Sequence, residues 1–152
     1  MHPAPPQFGA PRPGLSYADR PAAYGLLEHG GLLALVHVSL PREAPFFDLP
    51  GGGVDPGEDE GRALVREFGE ETGLVVRPGA LVARARQFMV SAKGEPFNSR
   101  NGFFETALEG EDAALKIEQE HMLVWRDPAE ALTILRHDSH AWAVTAWLRR
   151  RR

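Results

Sequence analysis

The sequence predicts one α/β (α+β) domain built on a mixed β-sheet, and three observations carry that class. Apolar runs of strand length recur between Ala22 and Arg126. An amphipathic helix over about 59–72 interrupts them. Two further helical segments follow Asp127. Strands and helices are interleaved with no internal repeat and no long linker, so they share one core. The 152 residues are enough for one such core, and 43% hydrophobic with 25% charged residues is an ordinary globular balance.

Residues 1–14 carry five prolines and two glycines and are expected to be an irregular, partly extended arm; residues 15–152 form the domain. Two apolar runs, near 22–28 and 32–39, flank Glu28-His29-Gly30-Gly31 and predict a β-hairpin. The second run, LLALVHV, is nearly continuous, as in a strand buried on both faces. PREAP is a loop, and FFDLP (46–50) is a short strand leading into Gly51-Gly52-Gly53, where a sharp turn is expected.

The helix over 59–72 has Leu64, Val65, Phe68 and Thr72 on an apolar face, with Glu67, Glu70 and Glu71 on the adjacent face. Gly73 stands where a helix-ending C′ glycine belongs. Next, LVVRPGALVARARQFMVS alternates as one or two strands interrupted at Pro78-Gly79. KGEPFNSRN is expected to be a loop, GFFETAL (102–108) a strand, EGEDAALKIEQE a loop or short turn, and HMLVWR (121–126) a strand. Asp127 as N-cap and Pro128 at the first helical position start a helix that runs to about Leu135. The last helix, about 138–149, places Trp142, Thr145, Ala146 and Leu148 near one face.

Charge narrows the function. The net charge is −4, but residues 55–71 alone hold seven acids and two arginines. The remainder is close to neutral, so a broad basic surface for nucleic acid is not expected. There is no cysteine, hence no disulfide framework and no thiolate metal site. No apolar run approaches the ~20 residues that span a bilayer, and MHPAPPQFGAPRPG lacks an apolar signal core. A cytoplasmic location is the resulting expectation.

Glu67, Glu70 and Glu71 lie at i, i+3 and i+4, so they share one helix face. Two of them sit in the last turn, where the helix dipole is already negative and each carboxylate costs on the order of 0.3–1 kcal/mol. Acids crowded at that end call for a cation, and a hard divalent ion suits oxygen ligands.

The spacing is more specific than the charge. Gly52 is followed after five residues by Glu58; after seven more come Arg66-Glu67, then Phe68, Glu70-Glu71, Gly73 and Leu74. This resembles the Nudix box, the loop–helix–loop signature of hydrolases acting on a nucleoside diphosphate linked to another moiety. All nine defined positions are met. The resemblance implies an α/β/α sandwich with a mixed sheet, and a Mg²⁺- or Mn²⁺-dependent pyrophosphohydrolase. It assigns Glu67 and Glu71 to the metal, with Glu70 sharing a second ion or acting in catalysis and Glu58 as an outer ligand. Arg66 is expected to orient a carboxylate through its fork of donors. Gly52 and Gly53 are expected to let the backbone approach phosphate or a bound ligand.

Among acids outside the box, Glu120 in KIEQEH is the expected base or extra ligand, while His121 and the other histidines have no metal-ligand spacing. Each assignment has a structural alternative. Glu58 can be the last residue of a capping box from Asp55, Arg66 an ordinary ion-pair residue, and the three glutamates a solvated face.

The expected partner is a small nucleotide or diphosphate; neither nucleic acid nor membrane is expected, and a homodimer is left open. Sequence marks of the ADP-ribose, dinucleoside polyphosphate, NADH and coenzyme A subfamilies are absent, which favours a nucleoside triphosphate or a substrate outside these classes. Two alternatives stay open: a non-catalytic nucleotide-binding or regulatory module, and a hydrolase of a non-nucleotide diphosphate. Phe97, Asn98, Arg100 and Asn101, placed in the expected loop, are candidates for base or phosphate contact, and Arg20, Arg84 and Arg86 for phosphate. Tyr24, Phe46, Phe47, Phe88, Phe103 and Trp125 are expected mainly in the core.

Overall fold

The computed structural model describes residues 3–151. Met1, His2 and Arg152 fall outside that range, so the tip of the arm and the last residue of the terminal arginine run are not described further. Strands are β1 (Gln7–Phe8), β2 (Ala18–His29), β3 (Leu32–Val38), β4 (Phe46–Asp48), β5 (Gly51–Gly53), β6 (Leu74–Val90), β7 (Pro96–Glu111) and β8 (His121–Arg126). Helices are α1 (Glu60–Thr72), α2 (Pro128–Ile134) and α3 (Asp138–Arg150), with one 3₁₀ turn at Ala113–Leu115.

The sheet is mixed and curled. Strands run in the order β1-β6-β7-β2-β3-β4, with β5 added along β2 and β8 along β3. β2 is the shared strand. It pairs in parallel with β7 over most of its length, antiparallel with β5, and meets β3 only at the hairpin through Gly30-Gly31. α1 covers one side, where Leu64 and Phe68 pack with Ala23, Leu27, Ala34 and Val76. α2 and α3 cover the other, where Ala131, Ala143, Val144 and Trp147 pack with Leu26, Leu35 and Phe103. The result is the expected α/β/α sandwich. Each fully buried Leu or Phe of these clusters contributes about 1.5–3 kcal/mol.

α1 starts and stops where local chemistry dictates. The Asp59 side chain accepts from the Arg62 backbone N–H at 2.8 Å, an N-cap worth about 1 kcal/mol. At the other end Gly73 takes φ 76° and its N–H bonds the Gly69 carbonyl, a left-handed cap that a side chain would strain. Val65, placed on the apolar face by the helical wheel, is 38% exposed at its edge.

Four expectations change. Gly51–Gly53 is not a turn but the short strand β5, paired to Ala22–Tyr24. β7 begins at Pro96, so Phe97, Asn98, Arg100 and Asn101 lie in a strand and the turn is confined to 91–95. Polar composition hid this strand. Asn98 exchanges hydrogen bonds with Gln7, Ser99 bonds Asn101, and Asn101 reaches Ser139, so these buried polar groups are paired. The proline-rich arm is not wholly irregular: Gln7-Phe8 adds a parallel strand to Arg86-Gln87. In α3 the buried residues are Ser139, His140, Ala143, Val144 and Trp147, not the face through Trp142 and Thr145. His140 concealed that periodicity. It is buried and neutral, pushed down to about 3 by burial, and its Nδ1 accepts from the Leu49 backbone N–H at 3.2 Å.

Candidate active site

α1, β5 and the loop entering β8 bring the acidic side chains together. On the wheel Glu71 falls at about 80° from Ala63, between Ala63 and Leu64 at about 100°, so it points toward the core. It is 5% exposed. One of its oxygens accepts from the Gly51 backbone N–H at 2.9 Å, and the other lies 3.1 Å from His121 Nε2. The other ring nitrogen, Nδ1, is 3.2 Å from the Glu118 carboxylate. His121 therefore sits between a helix carboxylate and a loop carboxylate, close to both, with its Nδ1 buried and without a hydrogen-bond partner among the described residues, a placement its lack of sequence spacing did not suggest.

Arg66 organises the opposite side. Its Nε and Nη2 each donate to a Glu58 oxygen at 2.8 Å, a two-point grip. Nη1 donates to Glu67 at 3.1 Å and to Glu70 at 3.3 Å, and Nη2 also reaches the Gly53 carbonyl at 3.0 Å. The Arg66 fork, with the Asp55 N–H second, holds the Glu58 carboxyl down at about 2. Both Glu58 oxygens are thus engaged, one of them also by the Asp55 N–H at 2.8 Å. The capping-box alternative is half realised, and Glu58 stands as Arg66's partner.

Among the described residues, two groups of side chains bring ligand atoms within 4.8 Å of one another: Glu71, Glu118 and His121, and Glu67, Glu70 and Glu118. Glu118 belongs to both, whereas Glu58 and Glu120 belong to neither. Glu120 is 41% exposed and reaches only to 3.6 Å from His121 Nδ1. Glu118 and His121 are three apart across a turn closed by the His121 N–H on the Glu118 carbonyl, so they project together while Glu120 turns outward. That i, i+3 relation was the available signal for Glu118.

The loop carrying Glu118 is tied to the helix end. The Ile117 and Glu118 N–H groups both donate to the Glu70 carbonyl at 3.0 Å. The Lys116 ammonium donates to the carbonyls of Glu71 (2.8 Å), Glu118 (2.7 Å) and His121 (2.6 Å). It thereby supplies the positive charge that the acidic last turn of α1 lacks. Lys116→Met is expected to leave the fold intact and to raise the metal concentration for half-maximal effect by about 10–100-fold. A Mn²⁺ binding titration of the variant beside the wild type checks this.

The electrostatics show what the cluster lacks. Burial, reinforced by neighbouring Glu71 and opposed by Arg66, pushes the Glu67 carboxyl up to about 8. Burial pushes Glu71 up to about 7 against the pull of His121 and the Gly51 N–H. Glu118 is raised too, again by burial first. Burial thus favours the neutral form of each of these carboxyls, and the nearby Arg66, His121 and Lys116 offset it only in part. The all-carboxylate group of Glu67, Glu70 and Glu118 offers oxygen ligands that fit a hard divalent cation such as Mg²⁺ or Mn²⁺. Since the ligands must be deprotonated, metal binding at pH 7 is expected to release about one proton. Affinity should then rise roughly tenfold per pH unit for each proton released, until pH passes about 8. Calorimetry in buffers of differing ionisation enthalpy measures that release, and proton-neutral binding would contradict it.

Gly52 lies against this cluster. A Cβ there would stand 2.7 Å from the Glu67 carboxyl carbon and 2.8 Å from one of its oxygens, while a Cβ at Gly53 would meet open space. The phosphate candidates Arg84 and Arg20 have acidic partners instead, Arg84 holding Glu60 and Arg20 holding Glu95. Arg86 lies 4.0 Å from Asp19.

A family model described as NUDIX domain matches residues 19–148. An RNA pyrophosphohydrolase of Sphingopyxis alaskensis is 35% identical over 68 residues, 45% of this chain and 43% of that protein. A putative 8-oxo-dGTP diphosphatase of Bacillus subtilis is 59% identical over 32 residues, 21% of this chain and 22% of that protein. The matched stretches thus span less than half the length of these curated relatives. Among solved structures, a NUDIX hydrolase from Nitrosomonas europaea has the same fold, with a TM-score of 0.74 at 20% identity, covering 88% of this chain and 91% of that one.

Proposed function

The chain belongs to the Nudix family, and we propose that it is a divalent-metal-dependent hydrolase of pyrophosphate bonds in nucleotides, with a nucleoside triphosphate as the foremost substrate class. The observation that carries this proposal is the pair of ligand groups that share Glu118, one with Glu67 and Glu70 and one with Glu71 and His121, set beside Gly52 and braced by Arg66 and Lys116. A structural acid face would be solvated; this one is largely buried.

Glu67, Glu71 and Glu118 would hold Mg²⁺ or Mn²⁺, with Glu70 at the edge of the set. A bound ion would polarise the phosphoryl group, acidify water and offset charge on the leaving oxygen. The chain's own residues do the rest. Arg66 fixes the rotamers of Glu67 and Glu70 by one shared donor and is itself fixed by Glu58. Glu70, 25% exposed, is the carboxylate best placed to accept a proton from attacking water, so it takes the base role. Glu118 takes the place first given to Glu120. His121 contacts Glu71 through Nε2 and lies beside Glu118.

The curated relatives support phosphoanhydride chemistry on nucleotide substrates, including RNA in one case, by their names. No helix among the described residues is long and apolar enough to cross a membrane. A hydrolysis screen of nucleoside triphosphates, nucleoside diphosphate derivatives and capped or triphosphorylated RNA, in ¹⁸O-water, tests the proposal. Metal-dependent release of a nucleoside monophosphate or a 5′-monophosphate end is expected. Nucleotide binding without turnover across the panel would instead favour the regulatory module.

A further inference from the structure

Gly51 opens β5, and its backbone N–H is one of the two groups that hold the buried Glu71 carboxylate. What sets the position of that N–H lies on the side of the sheet covered by α3. Leu49, Pro50 and Gly51 are all buried. A Cβ at Gly51 would strike the Ala23 carbonyl and Tyr24, so the segment lies tight against β2. Its backbone groups are tied off in turn. The Gly25 N–H donates to the Pro50 carbonyl at 2.9 Å, and Pro50 has no N–H of its own. The Leu49 N–H donates at 3.2 Å to Nδ1 of His140, in the first turn of α3. α3 thus reaches Glu71 through a short stretch of main chain: His140 holds Leu49, and Gly51 holds Glu71.

His140 is ill suited to a role of packing alone. It is 1% exposed, with its ring against Tyr24 (centroids 4.4 Å apart) and Phe103 (5.6 Å). Burial keeps it neutral. With Nδ1 accepting, the ring proton is on Nε2. Nε2 is buried and has no hydrogen-bond partner among the described residues. A buried donor left unpaired costs stability, and an apolar side chain of similar size would fill the space without it. What the imidazole alone supplies there is an acceptor for Leu49. Its own place is fixed by its neighbour. The Ser139 N–H donates to the Gln87 side chain at 3.2 Å, and the Asn101 amide donates to the Ser139 hydroxyl at 3.4 Å. These contacts anchor a helix start whose N-cap residue, His137, makes no side-chain capping bond.

We propose that His140 is a positioning residue for Glu71: by holding the Leu49 amide it sets the Gly51 N–H at the depth that orients the Glu71 carboxylate toward the ligand cluster. The proposal rests on the metal-dependent reading of the site and deepens it. His140 belongs to neither ligand group. It acts as the outer partners of metal ligands do, by limiting the orientations of the group that binds.

The test separates positioning from packing. His140→Leu and His140→Asn are compared with wild type in three measurements: Mn²⁺ binding by calorimetry, the denaturant midpoint, and exchange of the Gly51 amide proton without metal. Leucine fills the space but cannot accept from Leu49. It trades one unpaired buried N–H for another, so its midpoint is expected near wild type. Asparagine puts its amide oxygen where Nδ1 stands, but it is smaller and leaves a cavity, so its midpoint is expected to fall. Mn²⁺ affinity should run in the opposite order, close to wild type in the asparagine variant and about 10-fold weaker in the leucine variant. Gly51 exchange should quicken in the leucine variant alone. Affinity that follows the midpoint, with asparagine the weaker binder, overturns the inference, as does Gly51 exchange unchanged by leucine. If the leucine variant does not fold, His140→Gln takes its place, since its amide oxygen stands at the ε and not the δ position. Glutamine is then expected to bind Mn²⁺ more weakly than asparagine, and equal binding overturns the inference. If wild type binds no Mn²⁺ while Gly51 exchange still responds to leucine alone, the positioning role stands and the metal-dependent reading falls.

Discussion

Replacing Glu71 by glutamine is expected to lower turnover by about 10²–10³-fold and to leave the fold in place. Glutamine is nearly isosteric and can keep the Gly51 N–H bond through its carbonyl oxygen. It removes only the charge. Burial raises the Glu71 carboxyl to about 7, so the folded, metal-free protein favours the protonated form. The sign of the stability effect follows. The preference for the neutral form is fully present below the unfolded-state value near 4.5 and is lost as pH rises through about 7. Above pH 7 without metal, Glu71→Gln should therefore be at least as stable as wild type. With saturating Mg²⁺ the order reverses, because wild type gains stability through binding, about 2.7 kcal/mol at a hundred times Kd, and the variant does not. Thermal melts with and without metal at pH 8 reveal that crossing. A variant less stable than wild type in both conditions would mean that Glu71 is structural only.

The second large effect is expected at Gly52. Its backbone is an ordinary strand paired to Ala23, so alanine there costs little in folding terms. The added methyl meets the end of the Glu67 side chain, which can swing away. The displaced carboxylate then leaves Arg66 and its place in the cluster. A shift of about 1 Å at a catalytic group costs on the order of 10²-fold in rate. Gly52→Ala should lose about that much kcat while denaturant unfolding stays near wild type. Gly53→Ala, whose Cβ meets nothing, serves as the matched control. Equal activity in the two variants would show that close packing at Gly52 is not what the site requires.

The legible and illegible parts of the chain separate along physical lines. α1 could be placed to within a residue because its cap, its period and its terminal glycine are local signals in one window. The box spacing carried the chemistry for the same reason. The β7 segment at Asn98–Asn101 could not be read, because its polar side chains are satisfied by partners distant in sequence, among them Gln7 and Ser139. Gly51–Gly53 has the composition of a turn and is held as a strand only by β2. Glu118 and Lys116 gain their roles from a loop that docks onto carbonyls at the end of α1, a tertiary contact with no period to announce it. The wheel contains the burial of Glu71, since its angle lies between Ala63 and Leu64.

The Arg66 network also explains why so many acids coexist without metal. One guanidinium serves Glu58, Glu67 and Glu70 and lies 3.4 Å from Asp55. Burial pushes its neighbours Glu67 and Glu71 up to about 8 and about 7, so near neutral pH each is protonated for a substantial share of the time. A divalent cation would release those protons and complete the balance, which ties the electrostatics of the resting site to the chemistry proposed for it.

The most direct measurement is the Mg²⁺ dependence of nucleoside triphosphate hydrolysis by the purified protein, followed as product release from zero metal with chelator to saturation. Saturable activation from an undetectable baseline, missing in Glu71→Gln, is the predicted result. Hydrolysis that persists in excess chelator, or a Glu71→Gln protein that turns over at the wild-type rate, would contradict a cation held by the α1 glutamates.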